Sequence, residues 1–407
     1  MLEGTPDPDY IGTVFGNVRV KRRLYRDSSG DYRFLLDEKM GLDKGCHTSR
    51  KVKELATFIS SHFPFQRSEE ILRAILPSGI SHTSIHRLVG KVADPYLEKE
   101  EKEREEVFED GVIPESAGRV VPYLFIEADG TNIALQREGA RRGEVKAGIA
   151  YEEWQEVSKG RYRLKRKTVY CGIMDGDRFW EGLSLVLAKE YDLSKIDRVI
   201  VGGDGAPWVK EGAKVLNGIY ELDRFHLKRA LNQTLQGELA LEVYQACVGG
   251  EVDRVDGPLI GVQQKASRDE AKEIARLRGY LMENSPGLRH YRLELAGAGL
   301  RGLGAIEGNI DKLVANRMKK RGMSWTIKGA QRMTRLISLR ETGELHPWIT
   351  HKEGGQSKKI TKQKSIPLRD TGAWLEAGLP ALHGPHQNRP WVQVLRALSH
   401  GVHGASI

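Results

Sequence analysis

The stretch VVPYLFIEADGT, residues 120–131, decides how this chain is read: an apolar run from Val120 to Ile126 leads directly into Glu127-Ala128-Asp129-Gly130-Thr131. A short continuous apolar run bounded by turn residues is the pattern of a strand buried on both faces. Further along, RVIVGGDG at 198–205 repeats it, and Val199-Ile200-Val201 leads into Asp204-Gly205. Each run delivers a carboxylate toward the carboxyl end of a sheet, where α/β sites lie, and the following glycine leaves room for a metal or phosphate to approach the backbone. Taken singly, either Asp-Gly pair reads better as a turn or a helix N-cap. A third acid changes the balance.

That acid is Glu307. The sequence predicts an amphipathic helix from Leu303 to Met318, and at 100° per residue Leu303, Ile306, Ile310, Leu313, Val314 and Met318 share one arc that also includes Glu307. A carboxylate on a core-facing stripe costs several kcal/mol unless it is paired or binds a cation. An ion pair with Arg317, on the same arc, is the plainer alternative. Three acids from two strands and a helix suit two divalent ions about 3.5–4 Å apart, as two-metal phosphoryl transfer requires. Hard oxygen donors favour Mg²⁺ or Mn²⁺ over zinc. Between the second and third acids, LDRFHLKR at 222–229 puts Asp223 and His226 near each other at a helix start. By itself that spacing marks a structural hydrogen-bonded pair more often than a catalytic one.

Around these motifs, segments at 141–150 and 161–174 read as strands and RFWEGLSLVLAKEY as a helix. Three early strands, a helix and a further buried strand are the opening order of an RNase H-like α/β core. Residues 228–300, rich in Ala, Leu, Glu, Lys and Arg, read as a helical insertion with a loop at 249–260. Upstream, residues 14–36 predict a basic β-hairpin turning at Asp27-Ser28-Ser29-Gly30, and RSEEILRAILPSGISHTSIHRLVGKV has a helix-turn-helix layout. Its second helix would offer His82, Thr83, His86 and Arg87 to DNA bases, with Ile85, Leu88 and Val92 facing inward; an ordinary helical hairpin fits the same spacing. The charge run 96–111 reads as a solvated helix or linker. The expected domains are 1–117, a DNA-binding region; 118–227, the first part of the core; 228–300, the insertion; 301–340, the final helix and a basic region; and 341–407, a tail of weak periodicity.

The 407 residues carry 64 Lys and Arg against 55 Asp and Glu, a net +9 that favours a polyanionic partner. Lys312 to Arg340 holds Lys319, Lys320, Arg321, Lys328, Arg332 and Arg335 with no acid at all, and Arg161 to Lys167 alternates Arg, Tyr, Leu and Lys; both read either as phosphate-contacting surfaces or as solvated basic faces. Cys46, Cys171 and Cys247 form no CxxC pair, which speaks against a disulfide framework or zinc knuckle. No secretory signal and no apolar run near the roughly 18 residues of a membrane span is present, so a cytoplasmic protein is expected.

In combination, EADGT (127–131), GGDGAPW (202–208), LDRFHLKR (222–229), IEGNIDKLVANRMKKRGMSW (306–325) and the segment YRDSSGDYRFLLDEKMGL resemble the DDE transposases of the ISLre-two insertion-sequence family, relatives of the mutator-type transposases. The resemblance spans most of residues 14–340. It implies that Asp129, Asp204 and Glu307 hold two Mg²⁺ or Mn²⁺ ions as the catalytic triad, that Asp223 and His226 are an accessory Asp-x-x-His pair, and that the helical insertion belongs to the fold. It also implies element-end and target DNA as partners, bound by a homo-oligomer. Seven residues after the Glu, where many such enzymes place Lys or Arg, this sequence has Val314; Lys312 and Arg317 are the nearby cations. The chain starts closer to its hairpin than such enzymes do, so a missing N-terminal portion is expected. The alternatives are a nuclease or resolvase on the same fold and a domesticated DNA-binding regulator.

Overall fold

The computed structural model describes residues 9–40, 42, 47–251, 253–295, 300–320 and 322–350; Cys46, Arg321 and the tail 351–407 lie outside the described residues. Among the described residues the chain divides into two compact units, one built from residues 9–99 together with 317–350, the other from Glu100 to Asn316.

The first unit opens with an antiparallel hairpin, β1 (Asp9–Thr13) and β2 (Gly16–Val20). Sequence reading missed it, because its turn contains the apolar pair Val14-Phe15 and is made possible by Gly16 at a φ of +118°. The expected turn at Asp27–Gly30 is present: Asp27 Oδ1 accepts the N–H groups of Ser29 and Asp31, both at 3.0 Å. The strands it joins, β3 (Tyr25–Arg26) and β4 (Tyr32–Arg33), are only two residues each, and α1 (Leu35–Met40) follows. Helices α2 (Arg50–His62), α3 (Phe65–Ile75) and the start of α4 (His82–Phe108) bury Val52, Ala56, Leu72, Leu76, Ile80, Ile85 and Leu88 together. Gly79, at a φ of +57°, turns the chain between α3 and α4. The charge run, expected as a solvated helix or linker, is helical and continues α4 through Pro95 to Phe108.

In the second unit a central mixed sheet is built from β5 (Tyr123–Leu135), β6 (Arg142–Tyr151), β9 (Thr168–Gly172), β10 (Arg198–Gly203) and β11 (Ile219–Leu222), in the order β11-β10-β5-β6-β9. β5, β6 and β9 are antiparallel neighbours; β10 and β11 run parallel to β5. The basic segment 161–174 is two strands, since β7 (Glu153–Ser158) and β8 (Arg161–Lys165) form a separate hairpin before β9. Helices α5 (Gly176–Glu190) and α6 (Pro207–Val215) cover one face, where Phe179, Trp180, Leu183, Leu187 and Val209 pack on Leu124, Ile126, Ala128 and Val201. The C-terminal half of α4 is held to α5 by ion pairs from Glu101 to Arg178, Arg104 to Glu181 and Glu103 to Lys189.

The insertion is helical as expected, with α7 (Arg224–Thr234), α8 (Gly237–Gly249), α9 (Asp253–Lys265) and α10 (Arg268–Glu283) around a core that includes Leu227, Leu231, Val243, Val255, Leu259, Leu277 and Leu281. The loop expected at 249–260 is largely α9. Its buried Val255 and Leu259 are spaced i, i+4, a helical signal hidden by Gly250, Gly257 and Pro258.

The final helix starts later than expected. Residues 300–305 are not helical; α11 (Ile306–Ile310) follows and widens into a π-helical segment, Asp311–Lys319. Ile306, Ile310, Leu313, Val314 and Met318 are buried, whereas Glu307 is exposed, not core-facing. Two things remove Glu307 from the apolar arc: Leu303 precedes the helix, and the i→i+5 winding swings Val314 and Met318 back toward the side of Ile306 and Ile310. The chain then returns to the first unit with α12 (Ile327–Thr342) and α13 (Leu345–Thr350). Among the described residues no helix is long and apolar enough to cross a membrane.

Candidate functional site

Side chains of a strand alternate between faces, so the register of the three parallel strands fixes what gathers at their ends. Glu127, Gly202 and Glu221 are paired across β5, β10 and β11, and the next rung pairs Ala128, Gly203 and Leu222. One residue further, Asp129, Asp204 and Asp223 follow in a row, and the Asp223 N–H donates to Gly203 O at 2.7 Å. Asp129 itself lies inside β5, because the antiparallel pairing with β6 continues past it, opposite Ala147, after β10 has ended. The sequence reading that put this Asp at the end of its strand holds only for the parallel side.

Each aspartate spends Oδ1 on backbone N–H groups: Asp129 accepts from Gly130 at 2.6 Å, Asp204 from Ala206 at 3.0 Å, and Asp223 from Phe225 and His226 at 2.7 and 3.1 Å. Asp223 thereby caps α7. Among the described residues the Oδ2 atoms of all three carry no hydrogen bond, so each keeps a hard oxygen donor to offer. Burial, and then the neighbouring charge of Asp204, push the Asp129 carboxyl up to about 6. Asp223 behaves oppositely: burial raises it, but the His226 imidazole beside it and the backbone N–H groups of His226 and Phe225 outweigh that and hold it below the usual carboxylate range. His226 Nδ1 lies 3.4 Å from Asp223 Oδ1, an ion-pair distance without hydrogen-bond alignment. The contact with Asp223 raises the imidazole against the opposing effect of burial, and Asp129 and Asp204 add to the rise. The row thus holds more negative charge than its surroundings neutralise, which suits a divalent cation. As it stands, no group of three His, Cys, Asp or Glu among the described residues is drawn close enough to hold one.

Beneath the aspartates, the Glu127–Glu221 rung anchors the segments that frame the site. Glu127 is almost fully buried; its Oε2 accepts the N–H groups of Gly304 and Ile306 at 2.9 and 3.0 Å, and its Oε1 accepts the Tyr151 hydroxyl at 2.5 Å. Burial raises its carboxyl. Glu221 accepts the Tyr291 N–H at 2.9 Å and pairs with Arg224 and His290. A side chain at Gly202 would strike Leu303, so the glycine lets the segment before α11 lie on the sheet. By this route α11 packs on β5 and β6 and presents Glu307 on its exposed side. On the other flank the Tyr280 hydroxyl donates to Asp204 O at 3.2 Å, so the insertion supports the Asp204 loop. Sequence reasoning missed Glu127 and Glu221 as anchors; an acid within an apolar strand was the available signal.

The residues expected to contact DNA divide. His82, Thr83, His86 and Arg87 are exposed, with Ile85, Leu88 and Val92 buried behind them, although His82 is engaged by Glu69 through both Nδ1 and its backbone N–H. Lys312, Lys319 and Lys320 are exposed, and Arg321 lies outside the described residues. Arg317 is a correction: it is 2% exposed, donates to Ser60 O at 2.7 Å and stacks against Phe65 and Trp325, so it is an interior residue with no surface to offer a phosphate. Burial lowers its guanidinium to about 9. Arg332 and Arg335 also leave the basic surface, the first paired with Asp94 and the second buried. With Val314 buried too, Lys312 is the exposed cation following Glu307.

These features define an α/β protein whose parallel strands end in a row of carboxylates. The chain belongs to the uncharacterised protein family UPF0236, which it matches over residues 5–353. A UPF0236 protein of Caldanaerobacter subterraneus subsp. tengcongensis is 25% identical over 370 residues, 88% of this chain and 74% of its own length. Another from that organism, 24% identical over 83% of this chain and 68% of its own length, has a name that joins eleven locus designations. A UPF0236 protein of Streptococcus gallolyticus is 23% identical over 81% of this chain and 72% of its own. Among solved structures, the Drosophila P element transposase strand transfer complex aligns with 76% of this chain and 83% of its own at 12% identity and a TM-score of 0.28, too loose a likeness to establish a common fold.

Proposed function

We propose that this protein is a DNA transposase of an insertion sequence, cutting the ends of its element and joining the freed 3′-hydroxyls to target DNA. The observation that carries the reading is the row Asp129, Asp204 and Asp223, each one residue beyond the last rung shared by the parallel strands β5, β10 and β11, with α11, the helix that carries Glu307, packed on β5 and β6. Three antiparallel strands followed by two parallel ones, in the order β9-β6-β5-β10-β11, support an RNase H-like core. The eleven locus designations of one relative accord with a gene that multiplies within a genome.

Asp129, Asp204 and Glu307 would hold Mg²⁺ or Mn²⁺, which supplies activation of the attacking oxygen and stabilisation of the leaving one. In cleavage a water oxygen forms the new bond to phosphorus, the bond to the 3′-oxygen breaks, and that oxygen takes up the proton the water gives up. In joining, the freed 3′-hydroxyl oxygen forms the bond to a target-strand phosphorus, the bond from that phosphorus to its own 3′-oxygen breaks, and the leaving 3′-oxygen takes up the proton the attacking hydroxyl loses. His226, its imidazolium favoured by three carboxylates, fits a role in balancing charge beside the scissile phosphate.

The test is incubation of the protein with Mg²⁺ and a duplex carrying the element's end. Nicks at the element boundary plus strand-transfer products support the reading. Cleavage without joining favours a nuclease or resolvase, and binding without either favours a DNA-binding regulator.

A further inference from the structure

Arg301 stands apart from the other arginines around the site. It lies in the non-helical segment leading to α11, three residues before Gly304, whose N–H is held by Glu127. Its guanidinium lies 3.7 Å from the ring centroid of Tyr162 and 5.4 Å from that of Trp154, on the β7–β8 hairpin. Its backbone is fixed as well, Arg301 O accepting the Tyr291 hydroxyl at 2.5 Å. Yet the side chain is exposed, and among the described residues its guanidinium has no hydrogen bond and no carboxylate partner. An arginine free to choose usually takes an acid. Here two aromatic faces hold the planar group, and stacking leaves its in-plane N–H donors open. Lys159 and Arg161 at the tip of the same hairpin are likewise exposed and have no carboxylate partner among the described residues.

A guanidinium pre-oriented on rings, with its fork of donors unspent, matches a phosphodiester oxygen pair in geometry and charge. Three residues of chain span at most about 10 Å, so Arg301 stands beside the Glu127 anchor from which Asp129 follows two residues later.

We propose that Arg301, laid across Tyr162 and Trp154, is a DNA phosphate-binding residue that grips one strand alongside the carboxylate row, with Lys159 and Arg161 extending the grip along the hairpin. This rests on the reading of the protein as a DNA-transacting enzyme and adds the element that seats the strand.

The experiment is a titration of the full chain with a fluorescent duplex at several salt concentrations, comparing wild type with Arg301→Ala, Arg301→Lys and Tyr162→Ala. Arg301→Ala is expected to weaken binding roughly tenfold and to flatten the slope of log affinity against log salt by about 0.9. Arg301→Lys should restore the slope but not all the affinity, because charge returns without the stacked fork. Tyr162→Ala should weaken binding with the charge intact. Affinities within twofold of wild type and an unchanged slope for Arg301→Ala would overturn the proposal, as would a wild type that binds no DNA. Wild-type cleavage and joining, measured in parallel, judge the transposase reading separately: a wild type that binds through Arg301 and cuts nothing sinks that reading and leaves the grip standing.

Discussion

Replacing Asp204 with Asn keeps the side chain's shape and removes one charge from a row in which Asp129 already feels its neighbour. Asp204→Asn is expected to abolish cleavage and leave DNA affinity unchanged or improved, read by a nicking assay beside a binding titration; joint loss of both would point to a structural role. Glu127 asks for a different pair of variants. All its partners are donors, the N–H groups of Gly304 and Ile306 and the Tyr151 hydroxyl, and the hydroxyl alone can turn to accept. Glu127→Gln should therefore unfold within about 1 kcal/mol of wild type, its amide oxygen serving the N–H groups and its NH₂ the tyrosine. Glu127→Ala strands buried donors and should cost about 3 kcal/mol or more in urea unfolding. The three aspartates were legible because each follows an apolar run into a turn or helix start. Glu127 and Glu221 were not, since an acid's role inside a strand depends on which distant segment crosses over it, and Arg317 resembled surface charge because its aromatic neighbours lie far away in sequence.

Helix boundaries followed the sequence where a stop signal coincided with a change of period. The α3–α4 turn was readable from Pro77-Ser78-Gly79, and the inward phase of Ile85, Leu88 and Val92 followed from spacing alone. The exposed face of α4 carries its own test: Arg87→Ala should weaken binding to element-end DNA more than to scrambled duplex, because groove contacts read bases and phosphate contacts do not. Equal losses on both DNAs would make residues 68–92 a plain helical hairpin. Other elements were hidden for identifiable reasons. The widening of the helix at Asp311–Lys319 has no local composition signal, and it moved Glu307 out of the apolar arc that 100° spacing assigned to it. The β1–β2 turn is apolar, and α9 contains the breakers Gly257 and Pro258.

At the scale of the molecule, several carboxylates are held low by arginines, among them Asp94 by Arg332 and Glu101 by Arg104. A depressed folded pKa means stability fully present above the unfolded value near 4 and lost as pH falls through the folded one. The thermal midpoint should thus rise slightly from pH 7 to 5, where Asp129 takes up its proton more readily in the folded chain, and drop below about 4. Arg332→Met should make that drop shallower, and an unchanged drop would show that this pair contributes little, as partly exposed pairs often do. The discontinuity of the first unit has a consequence in time. Its early helices are tied to its late ones: Arg317 and Arg340 bond to Ser60 O and Ser61 O, Trp348 to Val92 O, and Arg50 to Thr350 O. On the ribosome, residues 100–316 must emerge before those ties can form, 217 residues (316 − 99) that take roughly 10–40 s at bacterial speeds. The carboxylate-bearing unit is finished first, while α2 and α4 wait with apolar faces uncovered. A chain released after Asn316 should hold a folded second unit and an unfinished first one, visible as protease resistance confined to residues 100–316.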